Sequence, residues 1–149
     1  MKASNDCLEI IRQYEGFRST PYRCPAGVWT IGYGSTRYAD GQAVKPTDPA
    51  ITQAQADEIM RATLGQYEDA VRRYVQVPIT QNVFDSLVDF AYNAGAKNLL
   101  TSTLLRLLNA GNFKAAANEF GRWVYGGGKI LPGLVKRRAA ERNLFERVA

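Results

Sequence analysis

Residues 14–34 read YEGFRSTPYRCPAGVWTIGYG, and this stretch decides the fold that the sequence is expected to adopt. A glycine follows the glutamate near its start, as at the end of a helix, and prolines and a further glycine then mark turns. Large and small side chains alternate over residues 28–34, which is the spacing of a β-strand. The stretch predicts a helix end followed by a short β-hairpin or a three-stranded meander.

The sequence on either side of this stretch predicts helices. Apolar side chains recur at helical spacing over residues 4–15, with a serine at the capping position. After an irregular connection over residues 45–51, Thr52 and Gln55 form a capping box that opens a long helix reaching about Tyr74. From residue 75 onward only helices are expected, over about residues 80–93, 102–108, 112–123 and 134–148, with the three glycines at 126–128 as a break.

The predicted fold class is therefore α+β and mostly helical, with a small β-hairpin lobe and a larger helical lobe joined by a long helix, and a cleft between the lobes. One domain is expected over residues 1–149. Its parts are a first helix (1–16), a β-rich lobe (17–51), a connecting helix (52–74) and a helical lobe (75–149).

Composition excludes several kinds of chemistry. The chain has no histidine, which removes the usual base of Ser-His-Asp and Cys-His enzymes and the commonest zinc ligand. Two cysteines, Cys7 and Cys24, are too few for a zinc ribbon or a disulfide scaffold, and they favour a reducing compartment. Chemistry must run on carboxylates, hydroxyls, a thiol or cations, and no cofactor or metal is expected.

The net charge of +5 predicts an anionic partner, which composition alone does not identify. Much of the excess lies in residues 136–138 with Arg142 and Arg147, and on charge alone we interpret it as a solvated helical face. No apolar run approaches the length of a bilayer span and no signal-peptide pattern opens the chain, so a soluble protein is expected.

Glu15, Cys24 and Thr30 are the candidate chemical residues of the opening stretch. Glu15 stands at the C-terminal end of the first helix among aromatic residues, where the helix dipole and desolvation both favour a protonated carboxyl, as a general acid requires. Taken singly, each has an ordinary alternative: a solvated glutamate, an inert cysteine, a threonine chosen for strand propensity.

Their spacing, with eight residues between Glu15 and Cys24 and five between Cys24 and Thr30, resembles the signature of the phage lysozymes, glycoside hydrolase family twenty-four. Further blocks resemble the family in the same order along nearly the whole chain. These blocks are residues 14–18 with 21–22, 78–82 with 84–87, 92–95, 102–105 and 133–142. The resemblance implies a lysozyme-like fold.

The resemblance also implies roles for matching positions. Glu15 is expected to donate the proton, Thr30 to position the attacking water, and Cys24, where the family most often has aspartate, to activate that water or stabilise positive charge on the sugar. Asn93 is expected to line the cleft. One of the two arginines of the last helix, Arg137 or Arg138, is expected to approach Glu15 and hold its carboxyl.

Two departures from the family pattern matter. Cys24 must be a thiolate to act as a base, whereas an unperturbed thiol is mostly neutral at pH 7. Ser35 stands where family members commonly carry histidine, which we interpret as structural. A regulatory pair between Cys24 and Cys7 would require the β lobe to fold back unusually far.

The resemblance implies an endolysin that hydrolyses the β-1,4 bond between N-acetylmuramic acid and N-acetylglucosamine in peptidoglycan, lysing the host cell to release phage. We expect a monomer that binds glycan strands, without nucleic acid or stable membrane insertion. It would be made in the bacterial host cytoplasm and act in the periplasm after the membrane is permeabilised. The alternatives are a catalytically impaired peptidoglycan-binding protein and a membrane-active cationic protein whose last helix presents an apolar face.

Overall fold

A computed structural model describes residues 1–148, which form seven α-helices and four short strands. The mostly helical α+β class expected from the sequence is confirmed. In chain order the elements are α1 (Asn5–Glu15), β1 (Arg18–Arg23), β2 (Trp29–Gly32), α2 (Gln53–Tyr74), α3 (Gln81–Ala94), α4 (Ala96–Leu100), α5 (Thr103–Asn109), α6 (Phe113–Glu119), β3 (Tyr125–Gly126), β4 (Lys129–Ile130) and α7 (Pro132–Glu146).

One compact unit comprises Ile11–Gln66 and contains the first hairpin. Strands β1 and β2 are antiparallel, with Tyr22 opposite Thr30 and an irregularity in register towards the start of β1. The reciprocal bonds of the predicted capping box are present, since the Thr52 amide donates to Gln55 Oε1 and the Gln55 amide to Thr52 Oγ1. Apolar side chains from the hairpin, the following loop and α2 are buried, among them Ile31, Tyr33, Val44, Ala56, Ile59, Met60 and Leu64.

The other unit comprises Met1–Ile10 together with the chain from Tyr67 onward. Helix α3 is its most buried helix, with every residue from Val83 to Ala91 inaccessible to solvent. Thr80 caps α3, as predicted, by accepting a bond from the Val83 amide. Phe90 of α3 packs edge to face against Phe120 and Trp123, and Phe120 packs in the same way against Phe145. These rings provide a large apolar core.

Polar bonds within this second unit fix the start of the chain. The Ala3 amide donates to Glu68, and the Ser4 amide and hydroxyl both donate to the buried carboxylate of Asp85. Gln81 donates to the Lys2 carbonyl, and Arg72 donates to the Met1 carbonyl. The residues that precede α1 are therefore held individually against α2 and α3.

The second half of the chain differs from expectation in three places. Residues 125–130 form the hairpin β3–β4, in which Gly127 and Gly128 both have positive φ, instead of a simple break between helices. Helix α7 begins at Pro132, since proline is well suited to the first turn of a helix, and α4 was not expected at all.

The basic run of α7 is not a solvated face as a whole. Arg137 and Arg138 are 3% and 2% exposed, respectively, because they pair with buried carboxylates. Leu144 and Phe145, two members of the apolar face that the membrane-active alternative requires, are also buried, whereas Val135 is 43% exposed. None of the helices within residues 1–148 combines the length and apolar character needed to cross a bilayer.

Candidate active site

Glu15 is the last residue of α1, and its side chain packs against the first hairpin. Gly16 follows with φ of 71°, which ends the helix as the sequence predicted. A Cβ atom built on Gly34 would lie 2.6 Å from Glu15 Oε1. The carboxyl group therefore lies directly against the Gly34 backbone and is half-buried.

Thr30 occupies the middle of this hairpin and is 2% exposed. Its hydroxyl donates a hydrogen bond of 2.9 Å to the Val28 carbonyl. Because directly opposed residues of antiparallel strands share a face of the sheet, the Thr30 side chain lies on the same face as Tyr22. The hydroxyl also lies within hydrogen-bonding distance of Cys24, so its single hydrogen has two possible acceptors and its oxygen lone pairs remain as acceptors.

Cys24 lies in the turn that joins β1 to β2. The turn is closed by bonds from the Cys24 amide to the Val28 carbonyl and from the Gly27 amide to the Cys24 carbonyl. The backbone N–H of Val28, and after it that of Ala26 and the Thr30 hydroxyl, lower the pKa of the Cys24 thiol, although desolvation acts in the opposite direction. This donor environment favours the thiolate that the catalytic role of Cys24 requires.

Tyr22 connects these residues electrostatically. Burial raises the pKa of the Tyr22 phenol, and the negative charges of Glu15 and Cys24 raise it further, whereas Arg18 lowers it. The Arg18 guanidinium lies 4.4 Å from the centre of the Tyr22 ring. Glu15, Cys24 and the face of the sheet that carries Thr30 are therefore brought together within one unit around a single phenol.

Both cysteines are free thiols, and their environments differ sharply. Burial, followed by the charge of Asp89, raises the pKa of the Cys7 thiol, so that it stays neutral. Cys24 is partly exposed and has a lowered pKa. The structure contains two separate thiols and no pair.

Iodoacetamide is accordingly expected to modify Cys24 alone in the folded protein. Intact-mass spectrometry should show one adduct under native conditions and two after denaturation. Because the pKa of Cys24 is lowered, the rise of its alkylation rate with pH should have its midpoint below that of free cysteine. The variant Cys24→Ser should take up no label while folded; a native adduct on it would contradict the assignment of Cys7 as inert.

The three predicted support residues, Asn93, Arg137 and Arg138, lie in the other unit. Arg138 contacts Asn93, and each arginine pairs with a buried carboxylate. Arg137 donates through Nε and Nη2 to the two carboxylate oxygens of Asp89, at 3.1 and 2.8 Å. Arg138 Nη2 donates to Asn93 Oδ1 at 2.6 Å and to Glu141 Oε2 at 3.0 Å. That one of these arginines holds the Glu15 carboxyl stays a prediction.

Three positions whose contacts matter for the candidate site residues were not identified from the sequence: Gly34, Asp89 and Glu141. Gly34 was included only as part of a strand pattern, although its contact with Glu15 depends on the absence of a side chain. Asp89 stands within an otherwise apolar stretch, and such an isolated acid in a buried helix indicates a buried cationic partner. Glu141 follows Arg138 at the i+3 spacing of a helical ion pair, a signal that was available.

Comparisons with known proteins identify the family of the chain. The phage lysozyme family matches residues 12–141. The endolysin of Bacillus phage B103 is 42% identical over 97% of the chain, which spans 54% of that relative's own length. The endolysin of Acyrthosiphon pisum secondary endosymbiont phage 1 is 39% identical over 98% of the chain and 99% of its own.

Solved structures show the same fold. An endolysin from Escherichia coli O157:H7 phage FAHEc1 superposes with a TM-score of 0.89 at 35% identity, covering 98% of this chain and 94% of its own. With a family match over residues 12–141 and relatives that align along nearly the full chain, this protein belongs to the phage lysozyme family.

Proposed function

We propose that this chain is an endolysin that hydrolyses the β-1,4 bond between N-acetylmuramic acid and N-acetylglucosamine in bacterial peptidoglycan, lysing the host cell to release phage. The observation that carries the proposal is the packing of the Glu15 carboxyl against Gly34, on the hairpin that bears Cys24 and Thr30. Membership of the phage lysozyme family supports it, as do relatives that are themselves endolysins.

Glu15 serves as the general acid in this proposal. It donates its proton to the glycosidic oxygen as the bond breaks through an oxocarbenium-like state. Its position at the C-terminal end of α1, where it packs against Gly34, supports this role. Contact with the hairpin backbone limits the rotamers available to the side chain, which keeps the acid oriented.

Thr30 positions the attacking water. When the Thr30 hydrogen is donated to the Val28 carbonyl, its oxygen accepts a hydrogen from that water. The water lone pair is then free to attack the anomeric carbon from the face opposite to the leaving group, which gives inversion. Cys24, as a thiolate, accepts the second hydrogen or stabilises the developing positive charge.

Asn93, Arg137 and Arg138 support the site in this proposal, with one arginine holding the Glu15 carboxyl. The substrate is the glycan strand, whose lactyl and stem-peptide carboxylates suit a protein with a net charge of +5. The protein acts as a monomer, on the cell wall, and the reaction needs no cofactor.

Mass spectrometry of digested muropeptides tests the proposal. Hydrolysis leaves reducing N-acetylmuramic acid ends, whereas a transglycosylase leaves anhydro ends that are lighter by one water. Reducing ends are expected, together with clearing of chloroform-treated Gram-negative cells. Binding to peptidoglycan without soluble fragments would instead favour the catalytically impaired alternative.

A further inference from the structure

Two arginines and two carboxyl groups form a closed, buried cluster in the unit that contains α3 and α7. Its members are Asp89, Arg137, Arg138 and Glu141, each of them at most 3% exposed. The Asp89 carboxylate receives two hydrogen bonds from Arg137. The Glu141 carboxylate receives one from Arg138 Nη2 at 3.0 Å, and its Oε1 lies 2.7 Å from Arg138 Nε as an ion pair. We call this set the charge cluster.

Neighbouring groups hold the charge cluster in one arrangement. Glu141 also lies within hydrogen-bonding distance of Asp89, which links the two ion pairs. The Arg138 guanidinium stacks 5.0 Å from the centre of the Phe90 ring. Burial raises the pKa of Glu141, and Asp89 raises it further, whereas Arg138 and Arg137 lower it. The Glu141 carboxyl group and the Arg138 guanidinium therefore each favour the charged form of the other.

The charge cluster reaches the surface at Asn93. Arg138 donates to Asn93 Oδ1, and both residues line a pocket of about 300 Å³ together with Trp123 and Tyr125. A guanidinium has donors and no acceptors, so its bond to Oδ1 fixes which end of the amide faces Arg138. The Asn93 nitrogen is then the end that can donate to a ligand.

We propose that Glu141 is a positioning residue for peptidoglycan binding: it fixes Arg138, which in turn fixes the Asn93 amide with its nitrogen available to an acceptor in the pocket. The proposal rests on the proposed function, because it takes peptidoglycan as the ligand. The acceptor is a carbonyl or carboxylate oxygen, which both the N-acetyl sugars and the stem peptides carry. Glu141 itself touches no substrate.

The variant Glu141→Gln tests this proposal in the full chain. Glutamine has the size of glutamate but carries no charge, so the ion pair with Arg138 is lost and the guanidinium is held less firmly. We expect the KM for peptidoglycan to rise about tenfold, with a smaller effect on kcat, because Glu141 acts on the binding amide of Asn93 and touches no reacting group. Initial rates of muropeptide release at graded peptidoglycan concentrations give both constants.

Glu146→Gln is the matched control, since Glu146 lies on the same helix in an exposed ion pair with Arg142. It should behave as wild type in both KM and kcat. Far-ultraviolet circular dichroism and thermal melts give the folded fraction by which every rate is normalised. An unchanged KM for Glu141→Gln after this normalisation would overturn the proposal.

A second variant keeps the proposal testable if Glu141→Gln does not fold. Asn93→Asp preserves an acceptor for Arg138 at the half-buried rim of the charge cluster but replaces the donating nitrogen with an oxygen. KM is again expected to rise about tenfold, and wild-type KM would overturn the proposal. An inactive wild-type protein would instead signal failure of the proposed function.

The two sources of the acceptor are separated with peptidoglycan whose stem peptides have been removed. If the acceptor belongs to a sugar, the rise in KM for Asn93→Asp persists on the stripped glycan. If it belongs to a stem peptide, the variant and wild type become equal on that substrate while still differing on intact peptidoglycan. If Asn93→Asp and wild type have equal KM values on both the stripped and the intact substrate, a binding role for the pocket is contradicted.

Discussion

Glu15→Gln is expected to abolish muropeptide release, with a loss of about 10²- to 10⁴-fold in kcat. Glutamine preserves the shape of the side chain against Gly34 but has no acidic proton that it can transfer to the glycosidic oxygen. The rate should be measured by mass spectrometry of soluble muropeptides and by clearing of chloroform-treated cells. Thermal melting should remain close to that of wild type, because the packing is conserved.

Glu58→Gln provides the control for this variant. Glu58 is exposed on α2 in the same unit, so the same chemical change there should leave the rate unaltered. A folded Glu15→Gln protein that keeps more than about a tenth of wild-type activity would contradict the general-acid role. Bacterial killing that survives without muropeptide release would favour the membrane-active alternative.

Gly34→Ala is expected to impair both stability and activity. Gly34 has φ of 78°, a conformation that costs a residue with a Cβ about 1–3 kcal/mol. The new Cβ would also lie 2.6 Å from Glu15 Oε1 and 3.1 Å from its Cδ, so the carboxyl group must move. Displacement of a catalytic group by about 1 Å can cost about 100-fold in rate, and we expect a loss of that order.

Gly41→Ala separates the two effects. Gly41 has φ of 87°, but a Cβ built on it meets no atom within 4 Å. Both variants should lose comparable stability in urea unfolding, whereas only Gly34→Ala should lose activity. Equal activity of the two variants, measured at a temperature where both are folded, would show that the contact between Gly34 and Glu15 is unimportant for catalysis.

Local signals predicted much of the fold. The capping box at Thr52 and the cap at Thr80 placed the starts of α2 and α3 because each depends on residues within one helical turn. The second hairpin was missed because its strands are two residues long and carry no alternation. Its Gly127-Gly128 turn did contain a usable signal, since two consecutive glycines with positive φ are typical of a tight hairpin.

Only some residues of the candidate site could be predicted from the sequence. Glu15, Cys24 and Thr30 were found through their spacing, which reflects one helix end and one hairpin. The pairing of Arg137 with Asp89 joins residues 48 positions apart, and no local pattern specifies such a contact. For that reason a basic run that resembles a solvated face was assigned to the surface, although two of its members are buried.

The polar bonds at the start of the chain have a practical consequence for protein engineering. Because the residues ahead of α1 are each held by a side chain of α2 or α3, an insertion between Met1 and Ser4 would move those bonds out of register and loosen the attachment of Ser4 to Asp85. Val148 is 92% exposed. Tags, fluorophores and surface-immobilisation linkers are better joined to that end of the chain.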